Sequence, residues 1–512
     1  MKHSAIHVLL TVFFTCILTS GSLTAQEKKE EAQTPKPIPA PKEFVTAQQG
    51  TFSGVTLKYK VVAGETYLKN DKDEPVASIW STSYIKEGDA KPVQRPVMFI
   101  FNGGPGSASV WLHMGFFGPV IVKTDSEAKT DDGAAPYKIE RNTKALLDLT
   151  DLVFIDPVGT GFSTVIGSGK TEDFWGLNED ANSIAQFIRL WVSKHKRWLS
   201  PKYIAGESFG TTRAATVTNA LEKGGQSMAL NGLILISQAL DYEGSTSVHD
   251  NITSYITYLP SMAATAWYHK KAGQGKSLQD FLTEVSEFTY NEYVPALYKG
   301  NYLPEADRIK LASRIASYTG LPEHYILQSD LKILMDRFQK ELLRDQNLTI
   351  GRLDGRYMGK ESDAVADHPT LGDPASYGID AAYTAALNHY LSGELNVEMY
   401  RPYRTSNPEI NNKWRWRTVP EGSYWEPMYV NVSRMLGDAM RRNKDLNVLV
   451  ACGYYDLITP FFDAEYTFSR NGIPKEQVKL TYYEGGHMMY NHQPDFDKLV
   501  KDIREFLLND LK

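Results

Sequence analysis

Gly206-Glu207-Ser208-Phe209-Gly210 reads G-x-S-x-G, and its flanks are those of a strand-to-helix turn. Tyr203-Ile204-Ala205 before it is short, apolar and bounded by Pro201, as the end of a buried strand is. Thr211 to Leu221 after it predicts a helix with small residues near its start. On such a turn a serine hydroxyl projects from the sheet edge, and the backbone N–H groups that follow face the same space. The two glycines let strand and helix approach without Cβ clashes. Ordinary turns also carry this pattern, so the rest of the chain has to supply what a nucleophilic serine needs.

Around the turn, strands alternate with helices. Pro96–Phe101 and Leu152–Ile155 are apolar runs of strand length, followed by Asn102-Gly103-Gly104-Pro105-Gly106 and Pro157-Val158-Gly159-Thr160-Gly161. Asp180 to Trp198 carries a helical stripe at Ile184, Phe187, Ile188, Trp191 and Val192. Leu233–Ile236, Asn447–Ala451 and Val478–Tyr482 predict further strands. Met428–Arg442 predicts a helix, and Phe496, Leu499, Val500, Ile503, Phe506 and Leu507 lie on one face of a final helix. Phe44 to Trp80 alternates apolar and polar residues between turn signals, which predicts antiparallel strands at one sheet edge. The class is α/β, with a mostly parallel central sheet flanked by helices. From Asp241 to Trp425 the rhythm breaks. Ser277–Tyr290 and Asp307–Tyr318 read as helices there, and no comparable apolar strand accompanies them. The expected organisation is a core in two parts, 44–240 and 426–512, around a mostly helical insertion at 241–425.

Residues 1–25 read as a cleavable signal peptide: Lys2 is the positive start, Val8 to Leu18 the apolar run, and Leu23-Thr24-Ala25 the cleavage site. The run is shorter than the roughly 20 residues of a membrane span. Residues 26–43, with Pro35, Pro37, Pro39 and Pro41, read as a solvated linker. Of the two cysteines, Cys16 lies in the leader, so Cys452 is left without an intrachain partner. That fits a periplasmic or secreted bacterial protein better than a disulfide-rich secretory one. A net charge of −6 with no long basic run gives no footprint for nucleic acid.

A serine hydroxyl is a poor nucleophile until a base takes its proton, and the base needs an acid to fix its tautomer. After a G-x-S-x-G elbow the partners follow in the order acid, then histidine, beyond the carboxyl ends of strands. Asp456 lies just past the Asn447 strand, and His487 just past the Val478 strand. These three are the candidate catalytic residues. The oxyanion needs two N–H donors. Phe209, after the nucleophile, supplies one, and the loop glycine Gly104 the other. Gly167-Ser168-Gly169-Lys170-Thr171 ends like a phosphate loop but has Thr164 where that motif needs glycine. The histidines are scattered and no paired-cysteine site exists, so neither a metal nor another cofactor is expected.

With Asn102 to Ser107, Pro157 to Ser163, Gly206 to Gly210, Gly453 with Asp456, and Gly485-Gly486-His487-Met488, the chain resembles the serine carboxypeptidase family. Tyr258 to His269 looks like that family's bacterial, cathepsin A-like branch. The resemblance implies an α/β-hydrolase fold with a helical cap. It implies release of C-terminal residues from a peptide substrate through an acyl-enzyme on Ser208. It also implies that Asn102, Gly103 and Glu207 hold the substrate's terminal carboxylate. The sequence departs from the family in two places: Ile100 stands where a tryptophan is usual, and Phe116 where a second glutamate would pair with Glu207. These apolar residues motivate the alternative of a serine esterase or acyltransferase acting on small molecules with the same triad.

Overall fold

Residues on a strand alternate between its two faces, and here both faces are covered. In strand β4 (Val97–Phe101) Met98 and Ile100 enter one apolar cluster, while Val97, Phe99 and Phe101 enter a second. β6 (Lys202–Ser208), β7 (Gly232–Gln238) and β8 (Asn447–Gly453) follow the same rule. With β5 (Asp151–Asp156) and β9 (Val478–Tyr483) they form six consecutive parallel strands in the order β5-β4-β6-β7-β8-β9. β1 (Glu43–Phe52), β2 (Val55–Lys69) and β3 (Pro75–Lys86) extend the sheet antiparallel beyond β5, and a short strand at Thr164–Val165 pairs with β3. The computed structural model describes residues 38–510, except 90, 224, 418, 420, 421 and 426–428. The expected signal peptide, and the expected linker as far as residue 37, lie outside the described residues.

Helices α1 (Leu177–Lys194), α2 (Phe209–Leu221) and α3 (Ser433–Arg442) bury their apolar faces in the second cluster. α4 (Gln493–Asp510) covers the opposite face with Phe496, Leu499, Ile503 and Phe506. Two helix ends differ from expectation. α1 stops at Lys194, not Trp198, because Lys196 turns the chain at φ 57° and delivers Arg197 to a buried carboxylate. α3 starts at Ser433, where Asn431 Oδ1 accepts the Ser433 N–H. Among the described residues no helix is long and apolar enough to cross a membrane.

The chain between β7 and β8 packs in two ways. Helices Ile252–Tyr268, Leu278–Phe288 and Glu305–Thr319 enclose a third apolar cluster that includes Met262, Phe281, Val285 and Ile315. Residues further along return to the main cores, with Tyr383 and Leu387 in the first and Ile410 and Trp414 in the second. Between these parts the short strands Leu348–Ile350 and Met358–Lys360 pair antiparallel.

The sheet's amino edge is tied by charge. Asp151, fully buried at the start of β5, accepts from Arg95 Nε at 2.7 Å, from Lys86 N–H at 3.0 Å and from Arg197. Removing Asp151 takes the ion-pair partner from Arg197 and leaves Arg95 with Asp89 alone, at 3.7 Å. Asp151→Ala is expected to lose about 3–5 kcal/mol of stability in urea unfolding. The folded fraction should still react with a serine-directed fluorophosphonate, because the candidate nucleophile Ser208 lies at the opposite edge.

Candidate active site

The candidate residues gather beyond the carboxyl ends of β4, β6, β8 and β9. Ser208 closes β6 at φ 60°, ψ −131°, a conformation that L-residues rarely adopt, and it is half-buried. Its neighbours impose it. A Cβ on Gly206 would lie 2.2 Å from the Gly210 carbonyl oxygen, and one on Gly210 would lie 2.8 Å from the Phe101 carbonyl oxygen. Glycine at both positions is therefore a packing requirement. Thr211 Oγ1 donates to the Ser208 carbonyl at 2.8 Å and accepts from Ala239 N–H at 2.7 Å, tying the elbow to the end of β7.

Asp456 is wholly buried, and its carboxylate is saturated. Oδ1 accepts from Ile458 N–H (2.8 Å) and Thr459 N–H (3.0 Å). Oδ2 accepts from the Thr459 hydroxyl (2.8 Å) and faces His487 Nδ1 at 2.8 Å. An ionised carboxylate at Nδ1 takes that N–H and leaves Nε2 as the basic nitrogen. Burial would lower the His487 pKa, but Asp456 and then Glu207 outweigh it, and the net direction is up. Gly453 lets the two loops lie flush: a Cβ there would meet the Gly486 carbonyl oxygen at 2.2 Å. Ser237, next to the Gln238 that pairs with Ser208, donates to the His487 carbonyl at 2.8 Å. This joins the histidine loop to the elbow's neighbour strand.

The Asn102–Gly106 loop abuts the elbow. A Cβ on Gly103 would lie 2.4 Å from the Phe209 nitrogen, and Gly104 is exposed at φ +107°. Asn102 Oδ1 accepts from Leu112 N–H at 3.0 Å. Its Nδ2 is buried with no hydrogen-bond partner among the described residues, yet lies near enough to Glu207 to favour that carboxylate. Burial pushes the Glu207 carboxyl up to about 7, against the opposing pull of His487 and of Tyr490, whose hydroxyl donates to Oε2 at 2.6 Å. Phe116 is buried, with its ring 5.9 Å from that of Tyr490 and 5.0 Å from that of Phe496. Ile100 is buried within β4. Glu207 thus has a phenol as its neighbour in place of a second carboxyl.

Sequence reasoning missed Tyr490, which carries no motif of its own. It also missed residues 352–356, from the long connection between β7 and β8. His487 N–H donates to the Leu353 carbonyl at 2.6 Å, and Leu457 N–H to the Arg352 carbonyl at 3.1 Å. Gly355 N–H donates to the Tyr455 carbonyl at 2.9 Å, and Asp354 Oδ2 accepts from Gly486 N–H at 3.0 Å while paired with Arg356 at 2.7 Å. One turn therefore braces both the Asp456 and the His487 loops. Gly351 and Gly355 around Asp354 were the available signal, and they mark a turn without saying what it touches. Among the described residues no group of three or more His, Cys, Asp or Glu side chains could hold a metal ion.

Residues 79–338, just over half of the chain, match the sequence profile of a family described as serine carboxypeptidase. Among curated proteins, Serine carboxypeptidase-like 13 of Arabidopsis thaliana is 26% identical over 162 residues, covering 31% of this chain and 36% of its own. Serine carboxypeptidase-like 5 of the same plant is 27% identical over 177 residues, covering 34% and 37%. The chain thus spans about a third of the length of these relatives. Among solved structures, Kex1(delta)P, a prohormone-processing carboxypeptidase from Saccharomyces cerevisiae, aligns with a TM-score of 0.54. That alignment covers 88% of this chain and 92% of the other at 16% identity, a likeness of fold, and the fold is that of the α/β hydrolases.

If Ser208 depends on the glycines for its backbone geometry, Gly206→Ala should abolish fluorophosphonate labelling of Ser208 and destabilise the protein by about 1–3 kcal/mol. Mass spectrometry of the labelled peptide and a thermal melt read the two effects separately.

Proposed function

The chain belongs to the serine carboxypeptidase family, and on that premise we propose that it is an exported serine-type carboxypeptidase. In this reading Ser208 Oγ attacks the last peptide carbonyl while His487 Nε2 takes its proton and Asp456 steadies the imidazolium. The oxyanion meets the Gly104 and Phe209 N–H groups. His487 then protonates the departing amine, which leaves an acyl-enzyme ester on Ser208, and water enters by the reverse sequence. The N-terminal leader supports export. N-terminal sequencing of the exported protein tests that, with Gln26 expected first.

The observation that carries the specificity is the pair Asn102 and Glu207. A buried amide donor without a partner costs free energy until an acceptor arrives. Beside it stands a carboxyl that keeps its proton to about pH 7. Together they can offer two hydrogen bonds to a substrate's terminal carboxylate, with Gly103 packed against the elbow beside them. The esterase or acyltransferase reading drew on Ile100 and Phe116; of the two, Phe116 packs its ring 5.9 Å from that of Tyr490, the phenol bonded to Glu207.

Peptides with free and amidated C-termini are expected to differ by about 10- to 100-fold in kcat/KM, from the loss of charge-assisted hydrogen bonds. Equal cleavage of both would remove the carboxylate role, and turnover confined to simple esters would favour the alternative. Ser208→Ala should lower kcat by about 10⁴- to 10⁶-fold.

The pH profile has a definite sign. His487 must be neutral to act, so activity rises as pH passes its raised pKa. Glu207 must be protonated to donate, so activity falls as pH rises through about 7. The profile of kcat/KM should be a bell near neutrality. Glu207→Gln stays neutral at every pH, so it should abolish the alkaline limb while leaving the acid limb, set by His487 beside Asp456, in place. An unchanged alkaline limb in that variant would show that Glu207 does not donate to substrate.

A further inference from the structure

Arg213 is a fully buried cation five residues after Ser208, on α2. Its Nε donates to Asp180 Oδ2 on α1 at 2.6 Å. Its Nη1 donates to the Asn102 carbonyl at 2.6 Å, and Nη2 to the Pro105 carbonyl at 3.3 Å. Those two carbonyls flank Gly103-Gly104. The guanidinium carbon lies 5.1 Å from the centre of the Phe209 ring and 5.5 Å from that of Phe101. One side chain therefore touches both segments that carry the candidate oxyanion donors, and its charge is balanced by one carboxylate that is itself buried.

A buried ion pair is weak evidence for stability, since apolar residues of similar shape often serve as well. The fork of a guanidinium does what an apolar chain cannot: it fixes two carbonyls and a carboxylate at set angles. We propose that Arg213, held by Asp180, is a positioning residue that sets the geometry of the oxyanion donors at Gly104 and Phe209. The inference rests on the catalytic reading of those two donors.

The test compares wild type, Arg213→Lys and Asp180→Asn, each checked for folding by circular dichroism. Lysine keeps the charge and loses the fork. In Arg213→Lys kcat should fall about 10- to 100-fold, with KM changed by no more than about twofold. A peptide aldehyde, which adds to Ser208 as a tetrahedral adduct, should lose affinity by the same factor as kcat, while a product peptide should not. A merely structural role would not produce that split. If Arg213→Lys fails to fold, Asp180→Asn carries the same test. Retention of kcat within about threefold in a folded variant, or a fallen kcat with aldehyde affinity intact, overturns the positioning role. Ser208→Ala is run alongside: if it stays active the catalytic reading itself fails, and if it is dead while Arg213→Lys is unaffected only the positioning inference fails.

Discussion

Ser208 at φ 60°, ψ −131° is the constraint on which the carboxyl edge depends. Such a backbone costs of order 1–3 kcal/mol and persists only where the surroundings over-determine it. Gly206 and Gly210 remove the Cβ atoms that would forbid it, Thr211 fastens it to β7, and the Gly103 backbone closes against Phe209. Each of these contacts also shapes the space in front of the hydroxyl. The strain is thus inseparable from the arrangement of the proposed donors and base around it.

Much of this was legible in the residues. Strands such as Val97–Phe101 and Gly232–Gln238 announce themselves because both faces are buried, so nearly every position is apolar. That Asp456 and His487 meet was readable because the proposed chemistry restricts the residue types that can serve it. The bracing turn at 352–356 was not readable. Its work is done mainly by the carbonyls of Arg352 and Leu353 and the N–H of Gly355, and a main-chain hydrogen bond leaves no mark on residue identity. Tyr490 was hidden for another reason. Its partner Glu207 lies 283 positions away, so only the folded chain reveals that a phenol stands beside that carboxyl.

The two regions of the connection between β7 and β8 have different duties. Helices from Ile252 to Thr319 make a core of their own, whereas Asn407 and its neighbours back the glycine loop, with Asn407 N–H on the Gly106 carbonyl at 2.8 Å. Burial sets the protonation of Glu207 and Asp456 sets that of His487, so the electrostatics of the site follow from packing as much as from the charged groups.

The turn at 352–356 has a consequence for modularity. Segments inserted into a sheet are natural candidates for exchange between related proteins, because their ends meet the host at two strand termini. Here the inserted sequence is also attached at interior points, and at one of them Leu353 and Asp354 hold the histidine loop. A chimera that swaps only the helices from Ile252 to Thr319 leaves that attachment native. One whose junction falls beyond Arg356 also replaces the support of the His487 loop, and so couples any change in the inserted surface to a change in the proposed base.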